Sequence, residues 1–537
     1  MAHLIVQGGS TLYKMDLSTG VATALTLPTD VTLSTTRKPR FAVLNQWIVM
    51  AHSPSKNLAI DPEGTVRPLT LRAPTHPPTI AAGASTGLTG AYKYRDSFIV
   101  TNSDGDLLME SPLSPEGAAF TLANTDALLT DIAPSLDTIS ARRIYRTVAG
   151  GTAYFQVADV DGNVLETIVD ATADATLSLL PAVPSILSSP PGTLPGVRFK
   201  LLIEWKLRLW GVPDDPTLHD VVYASETNKV YAWPNTIPVG QAGADSQGIV
   251  AFAKRRNQLG ILKRNGVWQI SGSASSTGIA VANIGVSQIG FDLGCVAPDS
   301  VIAINDKVYW LGEDGVYEWS DAGIRNITND SVGPWFKSDT YFNRSRFASA
   351  FAKYNKKTNS YELHLANAGD STENRWVSLS MTTGKWLGPH KTDAFTPSHS
   401  HHCMDSNGLP VVLVGGTDGV VYAGNSANYR DGASTAIDFD TYGPWHHGEA
   451  PTIEHYWGEL TMVSKVEAAG SLTVTPTVGW LDSSAGAAIT HALTTGRERL
   501  RRLGTGKLMR VRMRHNTVNQ GVSVMGYEVP WHELGQR

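Results

Sequence analysis

Gly83-Ala-Ser-Thr-Gly87 carries the G-x-S-x-G spacing of a nucleophile elbow, in which a serine hydroxyl is held on a sharp turn between a strand and a helix. Here a proline-rich stretch precedes the pentapeptide and a β-patterned run follows it. Without the strand–turn–helix framework, Ser85 reads as part of a flexible lead-in to the next domain. His399-Ser-His-His-Cys403 gathers three imidazoles and a thiol, and His446-His447 adds two more imidazoles, all ligand types that zinc takes. Their spacing fits no common zinc pattern, and one local cluster supplies tetrahedral ligands poorly, so the segment reads as a polar loop or a set of interface histidines. Asn102-Ser-Asp-Gly-Asp106 and Asp159-Val-Asp-Gly-Asn163 have the composition of calcium loops but not their ligand spacing or terminal Glu, and hairpin turns account for both.

The chain has no G-x-x-x-x-G-K-[ST] phosphate loop, and His532-Glu-Leu-Gly-Gln536 lacks the second histidine of an H-E-x-x-H zinc helix. Nucleotide hydrolysis and zinc proteolysis are thereby disfavoured. Paired carboxylates for glycoside cleavage converge from distant elements and leave no local signature, so that chemistry stays open. No catalytic, cofactor-binding or metal-ligating residue is assigned, and no cofactor is expected. The strongest charge signal lies near the C-terminus, where Arg497 to His515 holds eight Lys or Arg and one Glu. Arg510, Arg512 and Arg514 alternate with apolar residues, and Arg497, Arg499, Arg501 and Arg502 lie upstream. This predicts a strand with a positive face, whose use is open between DNA, an acidic patch of a neighbouring subunit, and solvent.

The elements that would position these residues are short. Fifty Gly and 29 Pro among 537 residues punctuate runs of 5 to 8 residues rich in Val, Ile, Tyr and Trp. Asp-Gly, Asn-Gly, Thr-Gly and Gly-Gly turns between such runs supply the positive φ of tight hairpins, which predicts an all-β chain. Length allows roughly three or four domains. Charged residues are 17% of the chain, below the roughly 25% usual for soluble domains, and a low share is expected of a surface hidden against partners. With 44 basic and 49 acidic side chains the net charge is -5, which excludes disorder and a basic nucleic-acid-binding protein. Cys295 and Cys403 stand far apart, arguing against a disulfide framework and for folding in a reducing cytoplasm. No secretory signal is visible at Met1-Ala-His-Leu-Ile-Val, and no apolar run approaches bilayer-spanning length, so no direct membrane insertion is expected.

Two proline-rich boundaries, Arg72–Thr79 and Ser188–Gly196, frame an inner sandwich of fibronectin type III spacing. Around it runs a degenerate strand–turn–strand repeat: Tyr13-Lys-Met-Asp-Leu-Ser-Thr-Gly20 parallels Trp376–Gly384, and Glu313-Asp-Gly-Val-Tyr317 parallels Thr417–Tyr422. One such sheet cannot bury both faces, so several must pack radially, with many of the 14 Trp as filler between them. The expected domains are first propeller strands (1–72), the fibronectin-like insertion (73–192), a propeller body (193–447), and a C-terminal β-sandwich or closing sheet (448–537).

Five ordered motifs carry a resemblance. Leu207-Arg-Leu-Trp-Gly211 with Asp214-Asp-Pro216 and Val221–Glu226 comes first, then Leu259–Lys263 with Gly266–Gly272. Ile284–Gly290, Ala297-Pro-Asp-Ser300 and Val308–Trp319 follow. In this order they resemble the propeller-type tail nozzle or tail tube (hub) proteins of short-tailed bacteriophages. Ala141-Arg-Arg-Ile-Tyr-Arg-Thr147, followed by Gly150-Gly151 and Tyr154-Phe155, resembles the fibronectin-like modules inserted in bacteriophage virion proteins. The resemblance implies a homo-hexameric ring that extends a portal channel, contacts a head-to-tail adaptor, and docks fibres, spikes or a plug. Double-stranded DNA would pass through its lumen without sequence-specific binding. Location in the virion tail, assembly in the host cytoplasm and a non-enzymatic role follow as expectations. A net acidic balance suits a wall along which DNA slides. Ser398 to Asn407 is the candidate for a moving or interfacial loop. A carbohydrate-binding or carbohydrate-cleaving propeller is the second reading, and a cytoplasmic scaffold the third.

Overall fold

The computed structural model describes residues 3–51, 56–163, 167–187, 198–240, 248–272, 283–391, 395–404, 408–424, 430–431, 435–436, 439–448, 451–480, 483–516, 522 and 524–534. It is all-β apart from short helical turns such as Asp174–Leu177 and Gly333–Lys337. Two compact units divide it: Met1–Tyr354 with Met404–Leu409, and Asn355–Cys403 with Pro410–Arg537.

The first unit is built of propeller blades. A three-stranded sheet, His3–Gly8, Thr11–Asp16 and Ala22–Leu25, opens it. Four antiparallel four-stranded meanders follow: Arg40–Leu44 to Val66–Pro68, Phe199–Trp205 to Asn235–Pro238, Ile249–Arg255 to Gly285–Phe291, and Ile302–Ile304 to Gly323–Asn326. We number these five sheets as blades in chain order. Tight hairpins join the first two strands of blades two to five. Their corner residues Asn45-Gln46, Lys206-Leu207 and Asn305-Asp306 take positive φ, as the twist of such hairpins demands. Only Asn305-Asp306 has the composition that favours this geometry unaided. Lys206-Leu207 adopts it under the pull of the flanking strands, whose Trp205 and Trp210 rings meet edge to face at 5.4 Å.

Blades two, three and four bury both faces because their neighbours in the chain cover them. Leu12 packs with Met50, Leu58 and Ile60 between blades one and two, and Trp47 and Val49 with Phe199 and Trp233 between two and three. Trp210 and Val222 join Phe252 and Ile261 between three and four, while Leu262 and Val267 join Trp310 and Trp319 between four and five. The first strands of blades two, three, four and five lie side by side in that order, so they form the inner layer around which the sheets fan out. Strands covered on both faces lose the apolar–polar alternation of a half-buried strand: Arg208–Pro213 is buried throughout.

The segment between Pro68 and Phe199 forms a two-layered module spliced between blades two and three. One sheet runs in the order Leu107–Glu110, Tyr94–Thr101, Ala141–Thr147, Tyr154–Asp161. Facing it are Ile168–Asp170, Ala127–Thr130 and Thr79–Ala82, with the pair Leu88–Tyr92 and Phe120–Thr125. Tyr92, Tyr94, Leu122, Leu129 and Ile144 fill the space between. Phe98, Val100 and Met109 leave that core and join the cluster of Trp47, Phe199 and Trp233, so module and blades share packed apolar surface. The proline-rich boundary at 188–196 lies outside the described residues.

The second unit holds the meander Ser360–Leu365, Arg375–Ser380, Trp386–Lys391, then Pro397–Met404, Pro410–Gly416 and Val421–Gly424. A C-terminal module of two facing sheets follows. Phe439–Tyr442, Leu508–His515, Ser471–Gly479 and Ile489–Ala492 form one sheet; Arg497–Gly506, His455–Ser464, Val524–Glu528 and Trp531–Glu533 form the other. Trp457, Leu460, Leu472, Met509 and Val511 pack between them. Phe439–Tyr442, assigned from sequence to the propeller body, pairs instead with Leu508–His515, because Phe439 packs against this core.

The repeats read from sequence are matched turns. Gly20 N–H donates to the Asp16 carbonyl and Asp16 N–H to that of Val21; Gly384 N–H donates to the Ser380 carbonyl and Ser380 N–H to that of Lys385. Both glycines take positive φ, +72° and +68°. In the second repeat Tyr317 donates to Asp314 and Tyr422 to Asp418, each at 2.6 Å.

Candidate functional site

The motifs weighed for chemistry resolve into turns and strand edges. Ser85 lies in a bend where its N–H donates to the Asp126 carboxylate at 2.9 Å, and its carbonyl accepts from the Asp126 N–H. No helix follows: the next element is the strand Leu88–Tyr92, so the strand–turn–helix frame of a nucleophile elbow is missing. Asn102 Oδ1 accepts from the backbone of Asp104 and Asp106, closing a turn at Gly105, while the Asn163 amide locks onto Ser135 in both directions. Asn102 therefore closes its own hairpin corner, while the second loop is tied to Ser135 through Asn163 and to Arg143 through Asp159.

The histidine segment corrects an expectation. Pro397–Met404 is a strand, not a loop, and a strand sends successive side chains to opposite faces, which leaves His399 and His401 on one face and parts His402 from them. Burial pushes the pKa of His401 and of His402 below the usual imidazole range. His446 sits elsewhere, its Nε2 2.7 Å from the Tyr527 hydroxyl. Among the described residues no group of three His, Cys, Asp or Glu is placed to hold a metal ion. Of the candidate moving segment Ser398–Asn407, residues 405–407 lie outside the described residues.

A site that sequence reading missed lies at the heads of the inner strands in the first unit. Arg40 begins the first strand of blade two and donates to the carboxylate of Asp299, 259 residues away, just before blade five. Lys38 reaches the same carboxylate at 3.5 Å and lies over the Phe351 ring, and Arg37 pairs with Asp214 at the end of a blade-three strand. The Asp299 backbone in turn accepts from Ala352. Burial pulls the Arg40 guanidinium down to about 10. Burial also lowers Lys200 on the neighbouring inner strand, against the nearby Asp214 and Asp220. Lys263, itself buried, donates to Asp220 at 2.6 Å and to the Val239 carbonyl at 2.8 Å. Cations and carboxylates thus neutralise each other across the strand heads. An ion pair thus joins the first strand of blade two to the segment that leads into blade five. The signal in the sequence was Arg37-Lys38-Pro-Arg40, three cations in four residues where a strand begins.

The basic C-terminal run divides between layers. Arg497–Gly506 belongs to one sheet of the C-terminal module and Leu508–His515 to the other, so it does not form one positive face. Arg497 pairs with Glu528 at 2.5 Å and Arg499 with Glu459 at 3.9 Å. On the second sheet Met509, Val511 and Met513 point into the core, and Arg510, Arg512 and Arg514 face outward. Arg512 binds Asp440 through two hydrogen bonds, 2.8 and 2.5 Å, and holds the Asp440 carboxyl below its ordinary range. Arg510 lies 5.0 Å from the Tyr442 ring centre and 4.4 Å from that of Trp445. The guanidinium groups are fixed in place by aromatic faces and one carboxylate.

No helix among the described residues is long and apolar enough to cross a membrane. No family model matches the chain, and no curated protein matches it. Solved structures that align with it include the extracellular domain of a putative one component system from B. thetaiotaomicron, at 11% identity over 99% of this chain and 82% of that one, TM-score 0.24. PorZ, a surface component of the type-IX secretion system of Porphyromonas gingivalis, aligns at 9% identity over 99% and 80%, TM-score 0.27. An exo-beta-1,3-galactanase from Phanerochaete chrysosporium aligns at 7% identity over 99% and 100%, TM-score 0.19. At these identities and scores the likeness says nothing of what this chain does.

Proposed function

We propose that the chain is a structural subunit of a virus particle, a propeller-based nozzle or hub in the tail of a short-tailed bacteriophage. It acts by geometry. Copies form a ring, six in the family it resembles, that continues the portal channel, seats against an adaptor and offers surfaces to fibres or spikes. The observation that carries this reading is the splice between blades two and three, where Phe98, Val100 and Met109 of the inserted module share one core with Trp47, Phe199 and Trp233. A module packed in this way is a rigid bracket rather than a tethered domain, which suits a load-bearing joint. The fibronectin-like identity of that bracket, suggested by Ala141–Thr147, belongs to the same proposal. In this reading DNA passes through a lumen between subunits, and the Arg40–Asp299 pair at the inner strand heads supports a propeller closed at its own axis. Mass spectrometry of purified particles tests the reading together with light scattering of the isolated chain, alone and with the adaptor. Stoichiometric presence in the tail and a ring of copies are expected; absence from particles overturns it.

A carbohydrate-binding role is favoured by one feature, the half-exposed rings of Tyr442 and Trp480 on the C-terminal module, since aromatic faces stack on sugar rings. Glycan binding by the isolated monomer, lost on Trp480→Ala, would favour that reading instead.

A further inference from the structure

We propose that the arginine-aromatic face of the C-terminal module docks onto the acidic end of the inserted module of a second copy of the chain, head to tail. This deepens the ring reading above and rests on it. Tyr442 and Trp480 are 52% and 47% exposed on that face, and each carries a cation: Arg510 and Arg512 over Tyr442, and Lys507 5.0 Å from the Trp480 ring centre. Tyr, Trp and Arg are the side chains that anchor protein interfaces, and guanidinium groups already held by rings lose little entropy on docking.

The complement lies in the same sequence. Residues 73–192 hold thirteen acidic against five basic side chains, a net of -8, whereas residues 448–537 hold ten basic against eight acidic, a net of +2. Four exposed carboxylates crowd one end of the inserted module. Asp104 and Asp106 stand on the turn that follows Tyr94–Thr101. The register that sets Ile99 beside Ala141, and Ala141 beside Asp161, brings Asp161 to that end. Asp131 arrives there because Arg142, next to Ala141, donates to the adjoining Ile132 carbonyl. None of the four makes an ion pair among the described residues, so their charge is available to a partner.

Duplex DNA is the competing occupant, and the face is a poor one for it. Asp440 sits amid the arginines and takes two hydrogen bonds from Arg512, so a phosphate approaching there meets a carboxylate. The exposed rings of Tyr442 and Trp480 offer a protein partner apolar contact that a phosphate backbone does not use. Joining two different patches is a heterologous contact, and such contacts close into rings when the rotation allows.

Carbodiimide coupling, which joins a lysine amine to a carboxylate with no spacer, tests the pairing on an equal mixture of ¹⁴N- and ¹⁵N-labelled full-length chains at high concentration. Mixed-isotope links from Lys507 to Asp104, Asp106, Asp131 or Asp161 are expected. Links confined to one isotope, or mixed links only to other carboxylates, overturn the pairing. Lys507→Glu with Arg514→Glu weakens self-association at least tenfold, and adding Asp104→Lys and Asp106→Lys to the same chain restores it; circular dichroism checks that each variant folds. Failure of the second pair to restore association also overturns the pairing. Fluorescence anisotropy with a labelled duplex decides the alternative, since tight binding lost on the same reversals would make the face a DNA site. An annulus found in particles without the Lys507 links sinks the pairing and spares the ring, whereas absence of the chain from particles sinks the ring while the mixed-isotope links still decide the pairing.

Discussion

Arg146 donates to the carboxylate of Asp170 at 2.8 Å with both side chains wholly buried in the inserted module. Tyr94 donates to the same carboxylate at 2.7 Å, and the Arg146 guanidinium also reaches the Thr172 carbonyl at 2.7 Å and Asp174 at 3.1 Å over the Tyr92 ring. Hydrogen bonds compensate the desolvation of both charges, so the network ties the Ala141–Thr147 strand to the opposite layer.

Removing one partner leaves an unmatched buried charge. Asp170→Ala or Arg146→Ala is expected to destabilise the module by about 3–5 kcal/mol, while Arg146→Met with Asp170→Leu costs less than the two single changes together. Hydrogen exchange over residues 79–170 in the full chain measures this. Equal loss in the double variant would show that the pair acts as two independent packing residues.

Asp96, on the neighbouring strand, predicts a pH dependence. It is wholly buried, and burial pushes its carboxyl up to about 6 against the nearby Ser114 hydroxyl, His76 and Arg142. A raised folded-state value means that the native module binds the proton more tightly than the unfolded chain does. Its contribution therefore favours folding below about 4 and is lost as pH climbs from about 4 to about 6. Asp96→Asn is expected to stabilise the module at pH 7 by about 2–3 kcal/mol, with no gain at pH 4. Urea unfolding of both proteins across that range checks it, and an equal offset at both pH values would refute it.

The hairpin tyrosines set a graded prediction. A Cβ placed on Gly312 would lie 2.5 Å from the Tyr317 ring and 3.1 Å from the Gly294 carbonyl, whereas one on Gly8 would meet the Tyr13 ring at 3.2 Å. Gly312→Ala should therefore cost about 2 kcal/mol or more and Gly8→Ala well under half of that. Thermal unfolding of the full chain ranks them, and the reverse order would mean that the ring at Tyr317 yields freely.

These cases show what could be read in the sequence. The β class and the matched turns at Gly20 and Gly384 were legible because positive φ and short alternating runs are local demands. Blade-to-blade packing was legible only as a need for radial stacking, since Trp47 and Phe199, which share one core, stand 152 positions apart. The Arg40–Asp299 pair was not legible at all, because two ordinary surface residue types become partners only when blades two and five converge. The histidine segment misled because three imidazoles within four residues resemble a ligand set until a strand turns His402 away from His399 and His401. The basic run misled for a related reason: Gly504 and Gly506 precede Leu508, and the chain changes sheet there.

Asp299 sits where two cations of the Arg37–Arg40 segment converge, so its loss strands the buried Arg40 guanidinium. Asp299→Asn is expected to cost about 3 kcal/mol, and Arg40→Met in the same chain should recover most of it by removing the orphaned charge. Calorimetry of the isolated chain reads the stability cycle. The double variant then probes the conduit. If DNA travels between subunits, particles carrying Arg40→Met with Asp299→Asn eject their genome at the wild-type rate, because the altered groups lie at the inner strand heads of a single copy. A change in ejection rate with assembly and stability intact would place the path past those strand heads and overturn the assignment of the lumen.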